Sequence, residues 1–134
     1  MRVKPFIDSN VILYLLSSDS TKADKAEAIL EAGGTISVQV LNEVVSVCRR
    51  KLQMEWSEID AVLQAVKASV EVMPLTETTH ELAVQICKQY QLSFYDAHIC
   101  SSALVAGAKH LLSEDMQDGM KVDGLLIQNP FKLL

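Results

Sequence analysis

Short apolar runs alternate with stretches of helical periodicity along this chain, and that alternation leaves few folds open to it. Val3 to Asp8 reads as a buried strand, with Pro5 near its start, where a missing N–H is tolerated. Asn10 to Leu16 reads as a short helix and Thr21 to Ala32 as a second, closed by Gly33-Gly34. Thr35 to Val38 is the next strand. Apolar spacing at Leu41, Val44, Val45, Cys48 and Leu52 predicts a helix over Val40 to Leu52. Ser57 is expected to cap a helix running to about Ser69. Val70 to Met73 reads as a strand, and Thr78 or Thr79 opens a helix that turns Leu82, Ala83, Ile86 and Cys87 inward. A helix of small residues spans Asp96 to Ala106, His110 to Ser113 is a strand, and Leu125 to Gln128 is a last, edge strand. Strands separated by helices pair in parallel through right-handed crossovers that cover both sheet faces. The expected fold is therefore α/β: a three-layer α/β/α sandwich around a short parallel sheet of about four or five strands. It forms one domain over residues 1–134, without linker, repeat or low-complexity segment.

Composition supports a folded core. The chain has 134 residues, of which 49% are hydrophobic and 22% charged, enough apolar surface for one compact domain. Apolar stretches fall well short of the roughly 20 residues that cross a membrane, and Lys4 and Pro5 interrupt any signal-like run. Cys48, Cys87 and Cys100 are odd in number, widely spaced and set in helical apolar patterns. They read as core thiols in a reducing cytoplasm. The net charge of −5 argues against a passive nucleic-acid binder, which carries a basic surface.

That negative charge has a suggestive distribution. Asp8 closes the first strand, Asp115 follows the strand at His110, and Glu43 and Asp96 lie near the starts of two helices. In an α/β sheet these are positions outside the carboxyl ends of the strands, where ligands bind. Taken singly, each acid has an ordinary explanation. Asp8 suits an N-cap, Glu43 and Asp96 suit the positive end of a helix dipole, and Asp115 suits a solvated loop. Glu43, flanked by Leu41 and Val44, is expected at the margin of the core. Together, carboxylates brought to one edge repel each other unless divalent cations hold them. Oxygen ligands without Cys or His favour hard cations, Mg²⁺ or Mn²⁺, over zinc.

The segments carrying these acids are Phe6-Ile7-Asp8-Ser9-Asn10-Val11, Ser37-Val38-Gln39-Val40-Leu41-Asn42-Glu43, Phe94-Tyr95-Asp96-Ala97-His98-Ile99 and Leu112-Ser113-Glu114-Asp115. In order and spacing they resemble the four motifs of PIN-domain nucleases, and the resemblance spans essentially the whole chain. A single domain of this size resembles the VapC-type toxins of toxin–antitoxin pairs. That resemblance implies a Mg²⁺- or Mn²⁺-dependent endoribonuclease acting on an RNA substrate, a homodimer, and a cognate antitoxin whose tail reaches the active site. It further implies that Asp8, Glu43, Asp96 and Asp115 are the catalytic, metal-binding carboxylates, with Asn10 and Ser113 as supporting polar groups. Glu114 departs from the family pattern, being acidic where a basic or neutral residue is usual. Asp118 is a candidate extra ligand.

Other residues are read from chemistry alone. Arg49, Arg50 and Lys51 follow Glu43 on one helix and read as a solvated face, with Arg49 and Arg50 as candidate RNA contacts. His98, two residues beyond Asp96, points away from it on a helix. Trp56 reads as an anchor between helices or a partner contact. Two rival functions compete. A phosphotransfer enzyme or receiver-like domain would also use Asp8 after the first strand, but a dehalogenase-like phosphatase needs an acid where Asn10 stands, and a receiver needs an early acidic pair. A non-catalytic PIN-like module would keep the fold without needing all four acids.

Overall fold

The computed structural model describes residues 3–132. Six strands and six helices follow one another as β1 (Phe6–Ile7), α1 (Ser9–Leu13), α2 (Ser20–Ala32), β2 (Thr35–Ser37), α3 (Val38–Arg50), α4 (Trp56–Ser69), β3 (Glu71–Met73), α5 (Glu77–Tyr90), α6 (Phe94–Val105), β4 (His110–Leu112), β5 (Lys121–Val122) and β6 (Leu125–Gln128). A 3₁₀ turn at Tyr14–Leu16 extends α1. The strands form one six-stranded sheet in the order β3-β2-β1-β4-β6-β5. The five strands from β3 to β6 run parallel, with Phe6 opposite both Thr35 and Leu111. β5 joins β6 antiparallel.

The α/β/α expectation holds, but the strand count and the edge do not. The sheet has six strands rather than four or five, and β6 is interior because β5 pairs outside it. The reason is a hairpin turn at Asp123-Gly124, both in the left-handed region at φ 48° and 87°. That conformation is the one Asp-Gly adopts most readily between paired strands.

Helix starts also move, each for a capping reason. Glu55, not Ser57, caps α4, in a reciprocal pair with Glu58. Thr76 caps α5 by accepting from Thr79 N, so that helix starts at Glu77. Ser93 caps α6, which therefore begins two residues before Asp96.

β1 is central and buried on both faces, Phe6 and Ile7 being wholly enclosed. Ile36, Val40, Val44, Leu111 and Ile127 continue the core around it. Chain packing is tightest where β2 begins. A Cβ on Gly34 would stand 2.6 Å from Ile7 Cδ1 and 3.0 Å from the Pro5 carbonyl, so only glycine admits this approach. Cys48 and Cys100 are buried free thiols and Cys87 is half-buried. No helix among the described residues is long and apolar enough to cross a membrane.

This topology locates a binding crevice before any side chain is considered. The chain leaves β1 for β2 and β3 on one side, then returns to β4 on the other. Loops from neighbouring strands therefore diverge between β1 and β4, and the gap opens at their carboxyl ends. Helices that follow or precede parallel strands run antiparallel to them, which brings the N-termini of α3 and α6 to this same edge.

Candidate active site

Asp8 is the first residue after β1 and is only 3% exposed. Its backbone N–H still donates to Leu112 O at 3.0 Å, as if the strand continued, so the side chain is fixed at the switch point. It caps α1, with Ser9 N donating to Oδ1 at 2.8 Å. Oδ2 accepts from Ser113 Oγ at 2.9 Å and from Asn10 Nδ2 at 3.2 Å. Asn10 also donates to Ser113 Oγ and accepts from Glu114 N at 2.9 Å. The cap reading of Asp8 thus holds, and Asn10 and Ser113 both touch its other oxygen.

Burial lifts the Asp8 carboxyl to a pKa of about 6, opposed by its bonds from Ser113 and Ser9 and reinforced by the charges of Asp96 and Asp115. Desolvation also raises Asp96, which Ser93 partly offsets and Asp115 increases. Asp96 sits in the first turn of α6, its N–H donating to Ser93 Oγ at 3.1 Å. Small buried residues on α6, namely Ala97, Ser101, Ser102 and Ala103, let the helix lie close under the sheet and against α5. Glu43 is half-buried in α3, at the core margin as its flanking residues predict, and Asp115 is exposed in the loop after β4.

Glu114 does not add its charge to this cluster unopposed. Lys22 Nζ reaches its carboxylate at 3.0 Å and Tyr14 Oη at 3.0 Å, and Tyr14 in turn donates to Glu114. These two bonds hold Glu114 acidic against its desolvation. Asp118 is likewise engaged elsewhere, accepting from Asn129 N at 2.8 Å and Lys132 Nζ at 3.0 Å. Arg49 and Arg50 lie in the last turn of α3, about 9 Å along the helix axis beyond Glu43. Arg49 donates to Met54 O at 3.1 Å and stacks over exposed Trp56 at 4.8 Å. The structure does not bring either arginine to the carboxylates. His98 bonds Thr79 Oγ1 at 3.0 Å, away from the acids.

Tyr95 is the residue that sequence reasoning passed over. Its hydroxyl lies near Ser9 and within electrostatic reach of Asp8 and Glu43. Its place directly before Asp96 was the available signal.

Among the described residues, no three His, Cys, Asp or Glu side chains stand close enough to make a ready-formed metal site. The chemistry nevertheless suits a hard cation. The donors are oxygens, the charges of Asp96 and Asp115 raise the proton affinity of Asp8, and Ser37 Oγ, buried at the end of β2, has no hydrogen-bond partner.

Comparison with known proteins agrees with this architecture. The family model for the PIN domain matches residues 6–117, and this chain belongs to the PIN-domain family. Solved structures with the same fold include chains of toxin–antitoxin complexes. A chain of a toxin–antitoxin complex from Klebsiella pneumoniae superposes with a TM-score of 0.73 at 19% identity, covering 95% of this chain and 98% of that one. DNA-bound VapBC from Salmonella typhimurium gives 0.73 at 16% identity, covering 96% and 99%. The sarcin–ricin-loop-cleaving VapC toxin of Mycobacterium tuberculosis gives 0.64 at 18%, covering 79% and 85%. No curated protein matches the sequence.

Proposed function

We propose that this protein is a Mg²⁺- or Mn²⁺-dependent endoribonuclease and the toxin of a toxin–antitoxin pair. The observation that carries this reading is the enclosed Asp8 at the β1/β4 switch point, whose carboxyl is raised by burial and by the charges of Asp96 and Asp115. Family membership supports nuclease chemistry, and the toxin–antitoxin neighbours support an antitoxin partner. Family likeness also underlies the expectation of a homodimer.

Asp8, Glu43, Asp96 and Asp115 are the residues that would hold the metal. A bound divalent cation supplies Lewis-acid charge to phosphodiester oxygens. The chain supplies the rest. Asn10 and Ser113 fix the orientation of Asp8. Asp96, in the first turn of α6, would accept the proton of an attacking water. Lys22 and Tyr14 keep Glu114 turned to α2 and out of the path of a phosphate. Products are expected to carry 5′-phosphate and 3′-hydroxyl ends.

The receiver-like rival loses support from topology, since flavodoxin-like sheets flank β1 with β2 and β3, whereas here β2 and β4 flank it. A non-catalytic module remains the second reading, favoured by the lack of a ready-formed three-ligand cluster among the described residues. One experiment separates the two. Purified protein is incubated with transfer, ribosomal and messenger RNA in Mn²⁺, in Mg²⁺ and in EDTA, and Mn²⁺ binding is followed by calorimetry. Cleavage in metal but not in EDTA, together with Mn²⁺ binding, supports the nuclease. Intact RNA throughout and no Mn²⁺ binding near millimolar concentration overturns it in favour of the module.

A further inference from the structure

Tyr95 occupies an unusual place for a large aromatic residue. It is 38% exposed, yet it is second in α6, directly before Asp96. Gln39 Nε2 on α3 donates to its backbone carbonyl at 3.2 Å, which ties the first turn of α6 to α3. Its hydroxyl lies near Ser9, Asp8 and Glu43, and the side chain still meets solvent.

The charges nearby define what such a ring can bind. The protein carries a net −5 and this edge is rich in carboxylates. Lys22 is paired with Glu114, and Arg49 is spent on Met54 and Trp56. An RNA strand entering the crevice thus gains little from these two cations. Stacking on an aromatic ring supplies binding that does not depend on charge, and unpaired bases are the ones that can be splayed onto it.

We propose that the Tyr95 ring is the stacking platform for an unpaired nucleobase next to the scissile phosphate. This rests on the nuclease reading above. It deepens that reading by assigning the substrate contact and by favouring unpaired RNA over duplex.

The test uses the whole protein and a single-stranded oligoribonucleotide containing 5-iodouracil. Tyr95→Ala and Tyr95→Leu, both folded by thermal unfolding, are expected to raise KM roughly tenfold with a smaller change in kcat. Tyr95→Phe keeps the aromatic face and is expected to restore KM to near that of the parent chain. Irradiation is expected to cross-link the oligonucleotide to the peptide containing Tyr95, and a duplex is expected to cross-link poorly. A Tyr95→Phe variant as defective as Tyr95→Ala would assign the contact to the hydroxyl and overturn the stacking platform. So would an unchanged KM in Tyr95→Ala, or a cross-link confined to other peptides, while the parent chain still cleaves RNA. A parent chain that neither cleaves nor cross-links RNA overturns the nuclease reading and this contact together.

Discussion

Asp8 concentrates the cost of the site in one side chain. A carboxylate that is almost wholly enclosed and faces other acids prefers its proton, hence its pKa of about 6. A raised pKa means that the folded protein binds a proton more tightly than the unfolded chain. Between the unfolded value near 4 and the folded value near 6, the native state holds more protons, so stability falls as pH rises through this window. The full penalty stands above pH 6 and is on the order of 2–3 kcal/mol for this group. Asp96 acts in the same direction. His98, lowered by burial, acts against it. Glu114 and Asp118 are lowered acids whose contribution is lost only at more acidic pH. Denaturant titration of metal-free protein should therefore find it more stable at pH 5 than at pH 7.5, and Mn²⁺ should remove most of that difference. Stability that rises steadily from pH 5 to pH 7.5 without metal would show that Asp8 is not the charged group the fold must tolerate.

At the scale of elements, capping determines where the acids point. Ser93 Oγ accepts from the N–H of Asp96 itself, so one hydroxyl both starts α6 and orients the acid. Ser93→Ala is expected to cost about 1 kcal/mol in stability and to lower cleavage more than that loss explains, whereas Ser93→Thr keeps both. Chemical denaturation and initial cleavage rates of the three proteins check this, and full activity in Ser93→Ala would break the link between cap and acid. Capping also marks the limit of what the sequence disclosed. Strand and helix order was legible because apolar periodicity reports burial, as the inward Val40, Val44 and Cys48 of α3 show. Helix starts were not, because Glu55, Thr76 and Ser93 each competed with an equally plausible neighbour, and only the chain's path selects among them. β5 escaped notice because two residues, Lys121 and Val122, are too few to show a period, although Asp123-Gly124 was a readable turn.

For the whole molecule, strand order explains why distant residues act together. Asp8 and Ser113 are 105 positions apart, yet they bond because β1 and β4 are neighbours across the switch point. The sequence ordered the four acids correctly along the chain, but their depths differ in ways that only packing determines. Asp8 is enclosed by β1 and β4, Asp96 and Glu43 are half-buried, and Asp115 is exposed. The partners of Glu114 were hidden for the same reason, since Lys22 comes to it from α2 without any sequence signature. The fold thus gathers charge at one edge at a cost in stability, and a cation together with a phosphate substrate is the chemistry that offsets such a cost. RNA cleavage at this edge is expected to depend on Asp96. The most direct measurement compares the cleavage rate of end-labelled RNA by the parent protein and by Asp96→Asn in Mn²⁺, with circular dichroism confirming equal folding. The expected result is loss of cleavage by about a thousandfold or more. An Asp96→Asn protein that is folded, free of contaminating nuclease and still cleaves at the parent rate would contradict the account.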